Sequence, residues 1–360
     1  MNSDNFSYYM PTRVIFGCNS ISEIDRYING RRALLITSQG FVKRGFVVKI
    51  QRLTNKIIGV LSEVDSHPEF KDVKVIYNKA RRIDYDVILA LGGGSVMDVA
   101  KFVSVQNNNR DYSFVEGLAK GLEKSAEYKV TPIISIPTTS GTGSEVTPFS
   151  TIWDMTEKKK YSLHLPDLMS ELAIYDPMLT ITVTKDITIH TGLDTLSHAL
   201  ESIWNKNANP ITIGYAIKAA KLVLDNLVKL SDDLKNIEYR NDMMKASMFA
   251  GLAFSNTQTA MAHAISYYIT SHKGVPHGIA CSFTLPMLMD NIIGKYGFVD
   301  DALRDIFGDL SSSVLRSMLH ELNVSTDFID YDINSSDLEE IKKLVKNHSR
   351  ADNSLVSFNE

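Results

Sequence analysis

Residues 86–101 read DVILALGGGSVMDVAK, in which an apolar run is followed by three glycines. The opening segment DVILA is apolar after its aspartate and does not alternate, which is typical of a strand buried on both faces of a parallel sheet. Gly92, Gly93 and Gly94 follow, and residues of helical character come directly after them. This order suits phosphate binding, because glycines let the backbone approach a pyrophosphate and a helix N-terminus favours an anion. The turn is neither GxGxxG nor a Walker A pattern, so taken alone it also fits a plain tight turn.

The first half of the chain alternates short apolar runs with stretches of helical length. Strands are predicted at 33–37, 56–60, 86–90 and 133–136, and a helix at 71–82. After the last of these strands comes PTTSGTGSE, which supplies hydroxyls and two glycines at a second strand end. Open α/β sheets bind ligands at such ends, so this second turn favours a nucleotide site.

From about Asp186 onward, helical periodicity replaces the strand signals. The clearest helix is predicted at 210–230, where Asn209 can cap, Pro210 suits the first turn and apolar residues recur at spacings of four and three. The sequence therefore predicts an α/β dinucleotide-binding domain at 1–180 and an all-helical metal- and substrate-binding domain at 181–360. The polar tail at 350–360 lacks periodicity, so we expect it to be frayed or loosely docked.

Composition narrows the function classes. The chain has 360 residues, 44% hydrophobic and 22% charged, and lacks a run long and apolar enough to cross a membrane. Its formal net charge of -4 gives no basic footprint for nucleic acid, so the expected partner is a small molecule. The N-terminus lacks the features of a secretory signal, which predicts a cytoplasmic protein. Cys18 and Cys281 form neither a disulfide framework nor a CxxC site, so both are expected to be small buried hydrophobes.

A possible metal site lies in the helical half. Asp194 and His198 are four residues apart within GLDTLSHA, so on a helix they share a face. His263 lies in AMAHAI and His277 in VPHG. One carboxylate and three imidazoles would form an N3O site for Fe(II) or Zn(II). Spacing alone does not separate this hypothesis from hydrogen-bonded core histidines and an exposed aspartate.

Four motifs in one order give a more specific signal. GGGSVMDVAK, PTTSGTGSEVT, GLDTLSHALES and the spacing from His263 to VPHG resemble the iron-containing (group III) alcohol dehydrogenases. This family is related in fold to glycerol dehydrogenase and dehydroquinate synthase. The match runs from PTRVIFG at 11–17 to beyond Pro286. The resemblance implies a dehydroquinate synthase-like fold, a nicotinamide cofactor, iron or alternatively zinc, and activity on a small alcohol or aldehyde; we also expect a homodimer.

Site residues follow from the resemblance position by position. The implied metal ligands are Asp194, His198, His263 and His277. The implied cofactor contacts are Gly94, Ser95, Asp98, Thr138, Thr139, Thr147, Phe149, Lys160 and Leu179, to which the glycine-rich turn adds Gly93.

The sequence departs from the family pattern at two positions. Tyr267 stands where many members have a second histidine, and His67 precedes Pro68 where many have asparagine. We interpret Tyr267 as a catalytic residue that helps to carry the proton. HAISYY, PHGIACSFTLP and TPFSTIWD followed by KKKYSL are most similar to the subgroup that reduces phosphonoacetaldehyde to 2-hydroxyethylphosphonate, which predicts a role in phosphonate metabolism.

Three alternatives stay open on the sequence alone. A generic short-chain alcohol (butanol-type) dehydrogenase would share every motif. A dehydroquinate synthase-like lyase would need several cations near the metal, whereas residues 260–268 are apolar. A catalytically inactive nucleotide-binding protein would not need all four metal ligands.

Two features concern charge recognition. Ser38 follows the strand at 33–37 where NAD-preferring members typically have an aspartate, and Lys43 and Arg44 lie nearby, so NADP(H) should be accepted at least as well as NAD(H). The cluster at 158–160 and Lys273 are the candidate cations for a phosphonate head group.

Overall fold

The glycine-rich turn belongs to one of two units into which the chain divides. A computed structural model describes residues 5–123, 127–157, 159–346 and 348–358. The α/β unit comprises residues 10–139 and 144–180, and the helical unit comprises residues 5–9, 140–143 and 181–358. The segments at 5–9 and 140–143 thus group with the helices, whereas the predicted division at 180/181 assigns both to the α/β domain.

The α/β unit is built on a six-stranded parallel sheet with the order β1-β10-β7-β4-β2-β3. Two antiparallel pairs, β5 with β6 and β8 with β9, accompany it. The strands are β1 (Arg13–Phe16), β2 (Ala33–Ile36), β3 (Ile57–Leu61), β4 (Val87–Gly92), β5 (Val105–Gln106), β6 (Lys129–Val130), β7 (Ile133–Pro137), β8 (Phe149–Asp154), β9 (Lys159–His164) and β10 (Leu172–Tyr175).

Helices cover both faces of this sheet. Leu34 and Ile88 pack into one apolar cluster and Ala33 and Val87 into another, because successive strand residues point to opposite faces. Burial on both sides explains why the strands lack alternation. The helices are α1 (Ile24–Ile28), α2 (Gln39–Lys43), α3 (Phe46–Leu53), α4 (Phe70–Ala80), α5 (Gly94–Ser104) and α6 (Tyr112–Ala119).

The helical unit has a single large apolar cluster. Asn209 caps its longest helix as predicted, since its side chain accepts hydrogen bonds from the backbone amides of Ile211 and Thr212, each at 3.1 Å. The helices are α7 (Lys185–Ile203), α8 (Pro210–Asp232), α9 (Ile237–Thr257), α10 (Met261–Lys273), α11 (His277–Ser282), α12 (Leu285–Ile292), α13 (Gly297–Phe307), α14 (Ser313–Glu321) and α15 (Ser335–Lys346).

The predicted fold class, a parallel α/β domain followed by a helical domain, is confirmed. The four predicted strands correspond to β2, β3, β4 and β7, and the predicted helices to α4 and α8. Strands β1 and β10 and the β8–β9 hairpin were not predicted. The two sheet strands are only four residues long, and the hairpin strands are partly exposed without strict alternation.

The prediction of a frayed or loosely docked tail is wrong for residues 350–358. Val356 and Phe358 are buried, and the amide of Leu355 donates to the carbonyl of Trp204 at 3.0 Å. Two apolar residues at a spacing of two suit an extended segment, a pattern too short to register as periodicity. The tail therefore packs onto the helical unit.

Two further findings concern exposure. Cys18 is exposed, so the expectation that both cysteines are buried is wrong for this residue.

Among the described residues, no helix combines the length and apolar character needed to cross a membrane.

Candidate metal centre and nucleotide-binding turn

One face of α7 carries three acidic or imidazole side chains. Asp194, His198 and Glu201 follow at spacings of four and three, so they lie above one another on the helix. Asp194 and His198 are each 5% exposed and Glu201 is fully buried. Such groups are rarely buried without a partner or an ion.

Two further histidines converge on Asp194 from α10 and α11. The Oδ1 atom of Asp194 lies 3.5 Å from Nε2 of His263, 3.8 Å from Nε2 of His198 and 3.9 Å from Nε2 of His277. The rings of His198 and His263 stack with centroids 4.6 Å apart. The structure therefore brings together all four residues implied as metal ligands.

A glycine allows His277 to reach this cluster. A Cβ atom on Gly278 would lie 1.8 Å from the carbonyl oxygen of His190, far inside any van der Waals contact. The start of α11 therefore approaches the backbone of α7 more closely than a side chain would permit. This close approach explains the glycine of the VPHG motif.

Two of the four candidate ligands, Asp194 and His198, have the charge that a metal requires. Asp194 Oδ1 and His263 Nε2 are buried and have no hydrogen-bond partner among the residues the structure describes. Burial lowers the pKa of His198 to about 4, so its imidazole is neutral at neutral pH. Burial alone would raise the pKa of Asp194, but the facing imidazoles hold it below its usual value. An anionic carboxylate surrounded by imidazoles fits a divalent transition metal.

Glu201 is a residue of this centre that sequence reasoning missed. Its Oε2 lies 2.5 Å from Nδ1 of His263, and its Oε1 accepts from the backbone amide of Ala262 at 2.6 Å. Burial alone would raise the pKa of Glu201, but attraction to His263 lowers it, so the carboxylate accepts and Nδ1–H donates. This hydrogen bond leaves Nε2 of His263 as the ligand atom. The signal was present, since Glu201 continues the helical face of Asp194 and His198.

Cys281 is the second missed residue. It lies one turn after His277 on α11, is fully buried, and places Sγ 3.6 Å from both ring nitrogens of His277. The ligand atoms of Asp194, His263, His277 and Cys281 all lie within 4.8 Å of one another. Cys281 is buried, as predicted, but it lies among candidate metal ligands.

Tyr267 lies between His277 and side chains of the C-terminal segment. The ring of Tyr267 lies parallel to that of His277, with centroids 6.4 Å apart and an interplanar angle of 8°. The guanidinium carbon of Arg350 lies 5.3 Å from the Tyr267 ring centroid, and the His348 ring lies at the same distance. The docked tail thus places Arg350 against Tyr267.

Lys273 is engaged elsewhere. Its Nζ forms an ion pair with Asp337 at 2.7 Å, and the hydroxyl of Tyr268 donates to the same carboxylate at 2.7 Å. This pair links α10 to α15 and neutralises the charge of Lys273 locally. Of the other predicted cations, Lys158 lies outside the described residues, and Lys160 lies over the ring of Trp153 at 5.1 Å.

The glycine-rich turn joins β4 to α5 at the carboxyl edge of the sheet. Gly93 caps α5 without a side-chain hydrogen bond, and a Cβ on Gly93 would lie 3.2 Å from the hydroxyl of Thr139. The backbone amide of Thr138 donates to Gly92 at 3.0 Å, so the turns after β4 and β7 are adjacent. The predicted residues Gly93, Gly94, Ser95, Thr138 and Thr139 therefore lie together.

Ser38 and Leu179 follow β2 and β10 at the same sheet edge, where the carboxyl ends of parallel strands meet. Ser38 is half-buried and precedes α2, whereas Leu179 is buried in the core. The hydroxyl of Ser95 donates to the carbonyl of Ser66 at 2.6 Å. Its side chain therefore anchors the turn.

The remaining predicted contacts lie around α5 and the β8–β9 hairpin. Asp98 accepts from Ser144 at 2.9 Å, and Lys101, which sequence reasoning missed, donates to the carbonyls of Thr147 at 2.7 Å and Phe149 at 2.8 Å. Burial raises the pKa of Asp98, and the charges of Lys101 and of Lys160, on β9, oppose this shift. The buried Lys101 thus orders the segment that carries Thr147 and Phe149.

Comparisons with known proteins agree with this architecture. The pattern of the family described as iron-containing alcohol dehydrogenase matches residues 11–177, and that of the C-terminal part of the Fe-containing alcohol dehydrogenase family matches residues 188–358. Sulfoacetaldehyde reductase of Bilophila wadsworthia is 31% identical over 96% of this chain and 95% of its own length. The 1,3-propanediol dehydrogenase of Klebsiella pneumoniae is 30% identical over 78% of this chain and 74% of its own.

Solved structures extend the likeness. Sulfoacetaldehyde reductase from Bifidobacterium kashiwanohense, in complex with NAD+, has a TM-score of 0.88 at 28% identity and covers 99% of this chain and 96% of its own. The iron-containing alcohol dehydrogenase of Thermotoga maritima has a TM-score of 0.85 at 31% identity, with the same coverage. The chain belongs to the iron-containing alcohol dehydrogenase family, and it is an oxidoreductase that acts on CH–OH groups.

Proposed function

We propose that this chain is a metal-dependent, NAD(P)H-linked reductase of a short aldehyde with an anionic head group, and that phosphonoacetaldehyde, reduced to 2-hydroxyethylphosphonate, is its substrate. The observation that carries the proposal is the buried carboxylate of Asp194 at the meeting point of three imidazoles. Buried ligand atoms without hydrogen-bond partners among the described residues fit a divalent ion.

Asp194, His198, His263 and His277 would hold the metal, iron or alternatively zinc. When bound, the ion supplies a Lewis acid for the carbonyl oxygen and the nicotinamide supplies the hydride. The protein positions these groups. Glu201 fixes the tautomer and orientation of His263, and Tyr267 lies beside His277, where its hydroxyl would pass a proton between the product oxygen and solvent.

The cofactor would bind at the carboxyl edge of the parallel sheet. The backbone of Gly93 and Gly94 and the N-terminus of α5 suit the pyrophosphate, and Ser38 suits the adenosine ribose. The other proposed contacts are Ser95, Asp98, Thr138, Thr139, Thr147, Phe149, Lys160 and Leu179.

Arg350 is the cation that best fits an anionic head group. Arg350 packs over Tyr267 and donates to the hydroxyl of Thr259 at 2.7 Å, two contacts that hold its guanidinium in place. A planar guanidinium held in this way can meet two oxygens of a phosphonate or sulfonate. The similarity to two sulfoacetaldehyde reductases supports an aldehyde that carries such an anion.

A neutral short-chain substrate is the second candidate. The similarity to 1,3-propanediol dehydrogenase favours it, because that name denotes a small uncharged diol. A reductase for such substrates would have no use for a cation beside Tyr267. The two candidates therefore differ in what Arg350 contributes to turnover.

Steady-state oxidation of NADPH and NADH with phosphonoacetaldehyde, sulfoacetaldehyde and butanal separates these candidates. We expect phosphonoacetaldehyde to give the highest kcat/KM. Arg350→Met keeps a long side chain without the charge, and should lower kcat/KM for the anionic aldehydes about 10- to 150-fold, the value of a charged hydrogen bond. Its kcat/KM for butanal should remain near that of the wild type.

Lys273→Met is the matched control, since it removes a cation from the same unit that is already paired with Asp337. It should lower the rates with all three aldehydes equally or not at all. Equal kcat/KM for butanal and phosphonoacetaldehyde in the wild type would instead support a generic short-chain alcohol dehydrogenase.

A further inference from the structure

Cys281 occupies a position that the Asp and His ligand set does not explain. It lies on α11 one turn after His277, so both side chains project from the same helix face. The sulfur is 3.6 Å from each ring nitrogen of His277 and fully shielded from solvent. A thiol at this distance is a potential ligand for whatever ion His277 binds.

The atoms around the thiol also indicate an ion. Asp194 Oδ1 and His263 Nε2 are at least nine-tenths buried and have no hydrogen-bond partner within the part of the chain that the structure describes. Both belong, with His277 and Cys281, to the set of ligand atoms that lie within 4.8 Å of one another. Two buried atoms that can coordinate a metal, Asp194 Oδ1 and His263 Nε2, thus lie close to the sulfur.

His198 contacts this set through His263. Its ring stacks between Phe254, with centroids 4.1 Å apart, and His263, with centroids 4.6 Å apart. The sulfur of Cys281, and not the His198 imidazole, belongs to the set of ligand atoms that lie within 4.8 Å of one another. A sulfur donor changes the chemistry of the site, because thiolates favour zinc and other softer ions while carboxylate and imidazole donors also suit Fe(II).

We propose that Cys281 contributes its sulfur as a further ligand to the ion held by Asp194, His198, His263 and His277, so that this chain holds zinc or cobalt more tightly than its carboxylate and imidazoles alone would. The inference rests on the proposed metal-dependent function. As the metal–sulfur bond forms, the S–H bond breaks and its proton leaves to solvent, with no change in oxidation state.

Cobalt(II) substitution tests the inference through a readout other than activity. The metal-free, full-length protein is titrated with Co(II), and its near-ultraviolet sulfur-to-cobalt charge-transfer absorption is recorded. The wild type should develop this band as cobalt binds. Cys281→Ala should lose the band yet still bind cobalt, and its zinc affinity should be about 10- to 100-fold weaker, the range typical of losing a supporting group at a metal site.

Cys18→Ser is the matched control, because Cys18 is exposed and lies in the α/β unit. It should keep both the band and the zinc affinity of the wild type. Cys281→Ser preserves the size of the side chain and should lose the band as well, which separates loss of the sulfur from a packing defect. Circular dichroism confirms that each variant is folded.

The outcomes distinguish this inference from the proposed function. Cobalt that binds stoichiometrically and supports turnover without a charge-transfer band would overturn the thiolate ligand and leave the metal-dependent reductase intact. A band that persists in Cys281→Ala would also overturn it. Failure of the wild type to bind any divalent ion would overturn both.

Discussion

The glycine-rich turn and the candidate metal centre differ in the groups that they offer to a ligand. At the turn, the proposed binding groups are backbone amides, and side chains are absent at Gly92, Gly93 and Gly94. At the candidate metal centre, the proposed binding groups are side chains from three helices, and the nearest backbone contributes only close packing, as at Gly278. The first site depends on local chain order, whereas the second depends on the packing of the whole helical unit.

Because of this difference, we expect the two sites to respond to substitutions in opposite ways. A backbone site should tolerate the loss of nearby hydroxyls but should not tolerate a side chain that fills its space. A side-chain site should fail when one ligand, or the group that orients a ligand, is changed to a near-isostere. The predictions below exploit this contrast.

The largest of these effects is expected for Glu201→Gln, which keeps the shape of the side chain but removes the charge that orients His263. Loss of a group that orients a metal-binding histidine should weaken metal affinity about 10- to 100-fold. Isothermal titration with zinc measures this change, and NADPH affinity should be unaltered. Glu238→Gln, an exposed residue on α9, serves as the control. Wild-type zinc affinity in Glu201→Gln would show that this carboxylate is only structural.

A smaller effect is expected for Gly93→Val. Gly93 has φ -82° and ψ -169°, a conformation open to any residue, so the backbone should not be strained. The added side chain would occupy the space against Thr139, and crowding of this kind should raise the NADPH dissociation constant about tenfold. Fluorescence titration measures that constant. Gly214→Val, where a Cβ meets no neighbour, is the control. Unchanged nucleotide affinity would contradict the assignment of the turn.

The smallest effect concerns the choice between the two nicotinamide cofactors. Ser38 forms a β-bridge with Glu63, whose carboxylate is paired with Lys79 at 2.5 Å. Lys43 and Arg44 are exposed at the end of α2, so an extra phosphate should be accepted without repulsion. We expect kcat/KM with NADPH to equal or exceed that with NADH. A preference for NADH of about tenfold or more would refute this expectation.

The same contrast explains what could be predicted from sequence. The strand, turn and helix at 86–101 follow one another along the chain, and the cap at Asn209 is adjacent to its helix, so both could be predicted from local order. The family's motifs supplied the four metal ligands, which periodicity alone could not distinguish from core histidines. The glycine-rich turn at 92–94 could therefore be predicted without knowledge of the tertiary structure.

The parts that were missed depend on contacts between distant segments. Arg350 lies beside Tyr267 only because residues 350–358 dock on the helical unit, and no periodicity marks that docking. Cys281 is a lone cysteine until α11 is packed against α7 and α10. Glu201 could have been found, because its position on the face of Asp194 and His198 follows from helical spacing alone.

The proposed function requires that reduction depends on an ion held by Asp194, His198, His263 and His277. Fe(II) or Zn(II) is added to the metal-free protein, and bound metal and NADPH oxidation with phosphonoacetaldehyde are measured together. We predict that turnover rises in proportion to bound metal, and that His277→Ala stays folded but neither retains the ion nor turns over. Turnover by the metal-free wild type would show that reduction does not need the ion, and full metal occupancy in His277→Ala would show that His277 is not a ligand.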